Sequence, residues 1–142
     1  MLVVAEMKLT EHFSLSEFER SSAAIANGID NTVPQRLIPP LRNLCEKVLE
    51  PLRQQFCEPV TISSGYRCPE LNRLVGGARN SQHLTGEAAD IYTEDFVKLR
   101  KWYEWMKTNV PYHQLIYETK VKQQWIHVSC YMDSKRNRHQ AL

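Results

Sequence analysis

The sequence predicts an α+β fold, a small antiparallel sheet with helices packed on its other side, and three observations agree with it. Leu41, Leu44, Cys45, Val48, Leu49 and Leu52 recur at helical spacing and make one broad apolar stripe. Phe96, Leu99, Trp102, Tyr103 and Met106 form a second. The runs 113–118 and 125–131 instead alternate like two strands.

Each element follows from local chemistry. Residues 1–12 carry little signal. Ser14-Leu15-Ser16-Glu17 reads as a capping box, with Ser14 as N-cap, opening a short helix to about Ala26 that Asn27-Gly28 ends. Asn31-Thr32-Val33-Pro34 reopens a helix, in two pieces because Pro39-Pro40 interrupts it, and Pro51 should kink or loosen its later part. Val60–Ser63 is a short β-rich run. Pro69 fits the first position of a short helix. Small and apolar residues around Asp90 make 88–92 a strand, and Thr93 or Asp95 begins the next helix. The polar residues Thr119–Gln124 make a hairpin of the last two strands. If Glu118 pairs opposite Trp125, Ile116 pairs opposite His127, and Glu118 and His127 project from one face of the sheet.

The bulk numbers exclude several classes. A chain of 142 residues is read as one domain, 1–142. Its 18 basic against 16 acidic residues give a net charge of +2, too small an excess for a nucleic-acid binder. The basic tail, 132–142, reads as frayed and solvated; a DNA-associated role for it would require strongly salt-dependent binding. No apolar run approaches the ~20 residues of a membrane span. The opening Met1–Glu6 is too short and too quickly acidic for a signal peptide, so synthesis in the cytoplasm is expected. Cys45, Cys57, Cys68 and Cys130 show no Cys-x-x-Cys spacing and fit buried thiols, with a bridge left open. A monomer is expected.

The chemistry concentrates in Ser81-Gln82-His83-Leu84-Thr85-Gly86-Glu87-Ala88-Ala89-Asp90. His83 offers an imidazole and Asp90, seven residues on, a carboxylate, with Gly86 allowing a turn between them. That is ligand chemistry for catalytic zinc, which takes three protein groups and leaves a position for water. A third donor is then needed, and His127 in Trp125-Ile126-His127-Val128 is the candidate. Taken alone, a histidine such as His127 is more often a satisfied sheet residue than a ligand.

This stretch resembles the Ser-x-His-x-x-Gly-x-Ala-x-Asp signature of the M15 metallopeptidases, the zinc D-Ala-D-Ala carboxypeptidases and related peptidoglycan endopeptidases. The likeness extends to 63–72 upstream and 125–128 downstream, covering about residues 10–131. It implies the Hedgehog/DD-peptidase type of fold, a zinc ion on His83, Asp90 and His127, and hydrolysis of bacterial cell-wall peptides. It implies for Arg67 a role on a carboxylate or a developing oxyanion, against the alternative of a surface arginine. The family's base is an acidic residue shortly before the last histidine; here Gln124 stands there and cannot transfer a proton. Other branches place a glutamate on the preceding strand, which matches Glu118; its alternative is an exposed charge at a strand end. Ser81 is expected at the site edge, with Tyr66, Asn72, Gln82 and Trp125 lining the cleft for substrate. His12, His113 and His139 match no motif position and are read as structural, and Glu87 as solvated. A peptidase without a leader suits a phage or prophage lysis enzyme, endolysin-like, or a housekeeping peptidase. The rival from another class is a non-catalytic, zinc-holding binding module of the same fold.

Overall fold

The computed structural model describes residues 6–142; the first five, part of the stretch read as no leader, lie outside the described residues. Among the described residues, seven strands and six α-helices follow one another. A small hairpin, β1 (Lys8–Thr10) and β2 (Phe13–Ser14), opens the chain where the sequence carries little signal. Glu50 secures it from across the fold. Its carboxylate accepts from the Thr10 hydroxyl and the His12 N–H, both at 2.7 Å, and lies 2.8 Å from His12 Nδ1. Burial alone would raise the Glu50 carboxyl; the His12 and Thr10 hydrogen bonds outweigh it and hold it below the usual range.

Ser14 caps α1 (Leu15–Glu19), its N–H donating to Glu17 at 2.7 Å. The helix expected to run to Ala26 is instead two. Ser21 adopts extended backbone and becomes a fresh N-cap, accepting from the Ala24 N–H, and α2 (Ser22–Ala26) ends at Asn27. Pro39 and Pro40 do not interrupt the next helix either. They lie in the first turn of α3 (Ile38–Leu44), where a missing N–H costs nothing. Pro51 does disturb the helical ladder: a wide π-type turn, Cys45–Leu49, precedes α4 (Glu50–Phe56) and makes room for a proline without an N–H. All six residues of the apolar stripe are fully buried.

The sheet has the order β3-β4-β6-β5-β7, from β3 (Thr61–Ser64), β4 (Ala88–Tyr92), β5 (Gln114–Lys120), β6 (Gln123–Ser129) and β7 (Gln140–Ala141). It is mixed rather than wholly antiparallel, because β7 runs parallel to β5. The tail expected to fray is therefore an ordered edge strand. β5 offers an open edge that the tail satisfies: Leu142 N–H donates to the Leu115 carbonyl at 2.8 Å, and Tyr103 Oη to the Leu142 carbonyl at 2.9 Å.

Alternation then divides the sheet. Ala89, Ile91, Leu115, Ile126 and Val128 pack into the core with Leu99, Trp102 and Met106 of α6 (Phe96–Asn109). Asp95 caps α6, accepting from the N–H groups of Val97 and Lys98. Phe96 departs from the predicted stripe: at the first helical position it is 39% exposed. The hairpin turn is shorter than expected, since β5 and β6 pair from Gln114↔Ser129 to Lys120↔Gln123. That ladder includes Glu118↔Trp125 and Ile116↔His127, the register in which Glu118 and His127 share a face. The four cysteines form no disulfide; Cys57 is exposed at the left-handed end of α4, while Cys45 and Cys130 are the buried thiols expected. No helix among the described residues is long and apolar enough to cross a membrane.

Candidate metal centre

Three strands and one loop build the site. Antiparallel pairing sets Asp90 of β4 opposite His127 of β6 and, on its other side, opposite Ser64 of β3. His83 arrives from the loop before β4. Gly86, with φ +70°, turns that loop, and the Glu87 N–H returns to the Gln82 carbonyl. The loop is stitched to the turn after β3: Arg67 N–H donates to the His83 carbonyl at 3.1 Å, and His83 Nδ1 lies 2.7 Å from the Gly65 carbonyl oxygen.

Donor atoms of His83, Asp90 and His127 lie within 4.8 Å of one another. Asp90 Oδ1 is 2.9 Å from His127 Nδ1 and 3.3 Å from His83 Nε2. A carbonyl only accepts, so His83 Nδ1 carries the hydrogen toward Gly65, and its Nε2 lone pair faces the Asp90 carboxylate unless a proton or a metal stands between. Two imidazoles and one carboxylate oxygen meeting this way fit a divalent ion such as zinc, with the Gly65 carbonyl fixing one ring's tautomer and orientation. Burial alone would raise the Asp90 carboxyl; the hydrogen bonds and charge of His127 and His83 override it and hold it well below the ordinary carboxylate range.

Arg67 completes the polar cluster. Its Nη2 lies 3.7 Å from Asp90 Oδ2, Nε donates to Ser64 Oγ at 3.2 Å, and Nη1 to Asn72 Oδ1 at 3.1 Å. Burial lowers its pKa, opposed by the negative charges of Asp90 and Glu118. Gly77 packs against this arrangement so closely that a Cβ there would fall 2.1 Å from Asn72 Oδ1 and 2.8 Å from Arg67 Nη1.

A polar trough of about 450 Å³ runs over the triad, and Arg67, Ser81, Gln82 and Glu118 line it as well. Ser81 Oγ accepts from the His83 N–H, so it also shapes the loop. The Nε2 of Gln82 is buried without a hydrogen-bond partner.

Two residues expected at the cleft stand elsewhere, and a third lines a groove beside it. Tyr66 is 5% exposed, packs in the core and lines a separate groove with Arg20 and Ser21. Asn72 is buried behind Arg67, its Nδ2 donating to the Ala78 carbonyl at 2.9 Å. Trp125 lies on the far side of Asp90, in a neighbouring groove that Gln124 also lines, and Tyr117 Oη hydrogen-bonds Gln124 Oε1. In the other direction, His113 fits no motif and is expected to be structural, yet it lines the trough with Tyr131, the two rings edge to face at 4.7 Å. It sits one residue before β5, and strict alternation would group it with buried Leu115 rather than with Glu118, so no spacing in the sequence marks it. His12 and His139 stand away from the trough, against Glu50 and Tyr112 respectively. Glu87 is half-buried and takes a hydrogen bond from Thr85 rather than standing free in solvent.

Two histidines and an aspartate converging on a sheet face beside an arginine and a glutamate could hold a divalent metal, with an acid–base group and a cation at hand. The peptidase M15 family profile matches residues 11–129, and the chain belongs to that family. A segment of 34 residues is 47% identical to the zinc D-Ala-D-Ala carboxypeptidase of Streptomyces albus G. The match covers 24% of this chain and 13% of that relative's length.

Proposed function

We propose that the chain is a zinc-dependent peptidase acting on stem or cross-link peptides of the bacterial cell wall. The observation that carries this reading is the meeting of His83, Asp90 and His127 in one trough with Arg67 and Glu118. Membership of a peptidase family supports hydrolysis, and the zinc D-Ala-D-Ala carboxypeptidase among its relatives supports both the metal and a D-amino-acid substrate.

His83 through Nε2, His127 through Nδ1 and a carboxylate oxygen of Asp90 would hold the metal. A zinc ion bound there supplies a Lewis acid and a water whose pKa falls toward ~7. Glu118 is the acidic side chain of the trough outside the triad, and its role is to take the water's proton and deliver it to the leaving amine. Gln124 is hydrogen-bonded in the other groove and leaves that role to Glu118. Arg67, whose fork is held by Ser64 and Asn72, keeps further N–H groups for the carbonyl oxygen as negative charge develops on it.

Digestion of purified peptidoglycan stem peptides with and without a zinc chelator, read by mass spectrometry, tests the proposal. Fragments that appear with zinc and vanish with chelator are expected. Zinc uptake with no fragment from any stem or cross-linked peptide would leave a binding module instead.

A further inference from the structure

Asp90 is the shared wall of two grooves, the polar trough of about 450 Å³ and a second of about 530 Å³. The second continues the same sheet face. Tyr92 stands two residues beyond Asp90 on β4, and Trp125 two residues before His127 on β6, so both rings project on the triad's side. Phe96 closes the groove from the start of α6, with Glu94 and Lys122 at its margin. Phe96 belongs to no core cluster and keeps 39% of its surface exposed, a ring placed against solvent beside two others.

We propose that the Tyr92–Phe96–Trp125 groove is a substrate subsite, and that the chain is an endopeptidase whose substrate passes through the site rather than ending in it. The occupant is an extended peptide with an aliphatic or other apolar side chain on the aromatic wall. The remainder of the same peptide lies along the trough toward Gln82 and His113. This rests on the peptidase reading above and deepens it. The geometry supplies the argument. Each groove falls within the ~300–1,000 Å³ of ordinary ligand pockets, and an extended chain advances ~3.3 Å per residue, so each side has room for more than one residue. An exopeptidase needs the cleft to stop within a residue of the scissile bond, against a fixed cation that takes the terminal carboxylate. Here the wall next to Asp90 is aromatic, and the cation on that side, Lys122, sits exposed on the β5–β6 turn; in the trough the fixed cation, Arg67, stands at the triad itself, 3.7 Å from Asp90, where it serves the scissile carbonyl rather than a terminus beyond it. The reaction is ordinary amide hydrolysis: the carbonyl carbon gains the water oxygen, the C–N bond breaks, and the water's proton passes to the amine nitrogen.

The test pairs two probes with the zinc-loaded full chain: cross-linked stem-peptide dimers, and the same peptides with their C-termini amidated. Internal cleavage of both is expected, with amidation changing the rate little. Phe96→Ala should raise KM for the extended peptides about tenfold, from loss of roughly one ring contact. Val97→Ala, next in sequence and outside the groove, serves as the control. In the metal-free chain, the amidated peptide should shift the Trp125 indole N–H resonance, a readout independent of turnover. Release of the C-terminal residue alone, abolished by amidation and indifferent to Phe96→Ala, would overturn this inference and leave the peptidase reading standing. Absence of hydrolysis of every probe by the zinc-loaded chain would overturn both.

Discussion

The two faces of the central sheet are made by the same strands and obey different rules. On one, Ala89, Ile91, Leu115, Ile126 and Val128 are fully buried against the helices. On the other, one residue along in each case, stand Asp90, Ile116 and His127, with Glu118 two positions beyond Ile116. The apolar face pins the register, because a slip by one residue would send five core side chains into solvent and the polar ones into the core. The polar face therefore inherits its geometry from packing it takes no part in. Stability and chemistry reside on opposite sides of one backbone, and they should be separable by mutation.

His127→Ala gives the largest effect expected. It removes one of the three proposed metal donors, and loss of a contribution of several kcal/mol from the metal predicts a fall in kcat/KM on the order of a thousandfold. Chemical denaturation of the metal-free variant should match the parent closely; parallel losses of folding and activity would erase the distinction between the faces. Glu118→Gln sharpens it within the polar face. Zinc should still bind, measured by calorimetry, while kcat falls about a hundredfold or more. Undiminished turnover would remove Glu118 as the base.

Leu115→Ala probes the opposite face. A fully buried leucine replaced by alanine costs about 2–5 kcal/mol, read as a lowered denaturant midpoint. Zinc affinity of the folded fraction should hold, unless the register is looser than the pairing implies. Glu50→Gln examines the ionic anchor of the N-terminal hairpin. Its carboxyl titrates below its usual value when folded, so the charged form adds stability above the unfolded pKa and loses it as pH falls through the folded one. The glutamine variant should lose about 1–3 kcal/mol at neutral pH and show a flatter acid limb. A destabilisation that was the same at low and neutral pH would contradict the ionic account. Asn72→Ala is the smallest. Freeing Arg67 Nη1 should cost about tenfold in kcat with zinc affinity kept, because Asn72 steadies the guanidinium and not the metal.

Legibility followed the same division. Periodicity located the buried stripe of residues 41–52 and the last two strands, because burial leaves a regular trace in sequence, and small apolar neighbours marked the strand around Asp90; the register of Glu118 against Trp125 depended on the turn, which the structure sets. Periodicity failed where a polar side chain competes with the backbone, as at Ser21, which starts a new helix. It failed also where proline chemistry depends on position: Pro39 and Pro40 begin a helix that they would have broken a turn later. The Lys8–Ser14 hairpin depends on Glu50 some 40 residues away, and β7 on the open edge of β5, so neither has a local signature. For the site, the His83–Asp90 spacing was readable and Arg67 followed from its motif. The burial of Asn72 behind Arg67, the turning of Tyr66 into the core and the arrival of His113 at the trough depend on tertiary packing and left no pattern.

Zinc K-edge X-ray absorption on the one-to-one zinc form addresses the centre directly. A first shell of nitrogen and oxygen alone at ~2.0–2.2 Å is expected, with two imidazoles visible in the outer scattering. A sulfur shell near ~2.3 Å, or the same spectrum from a chain lacking both His83 and His127, would contradict this expectation.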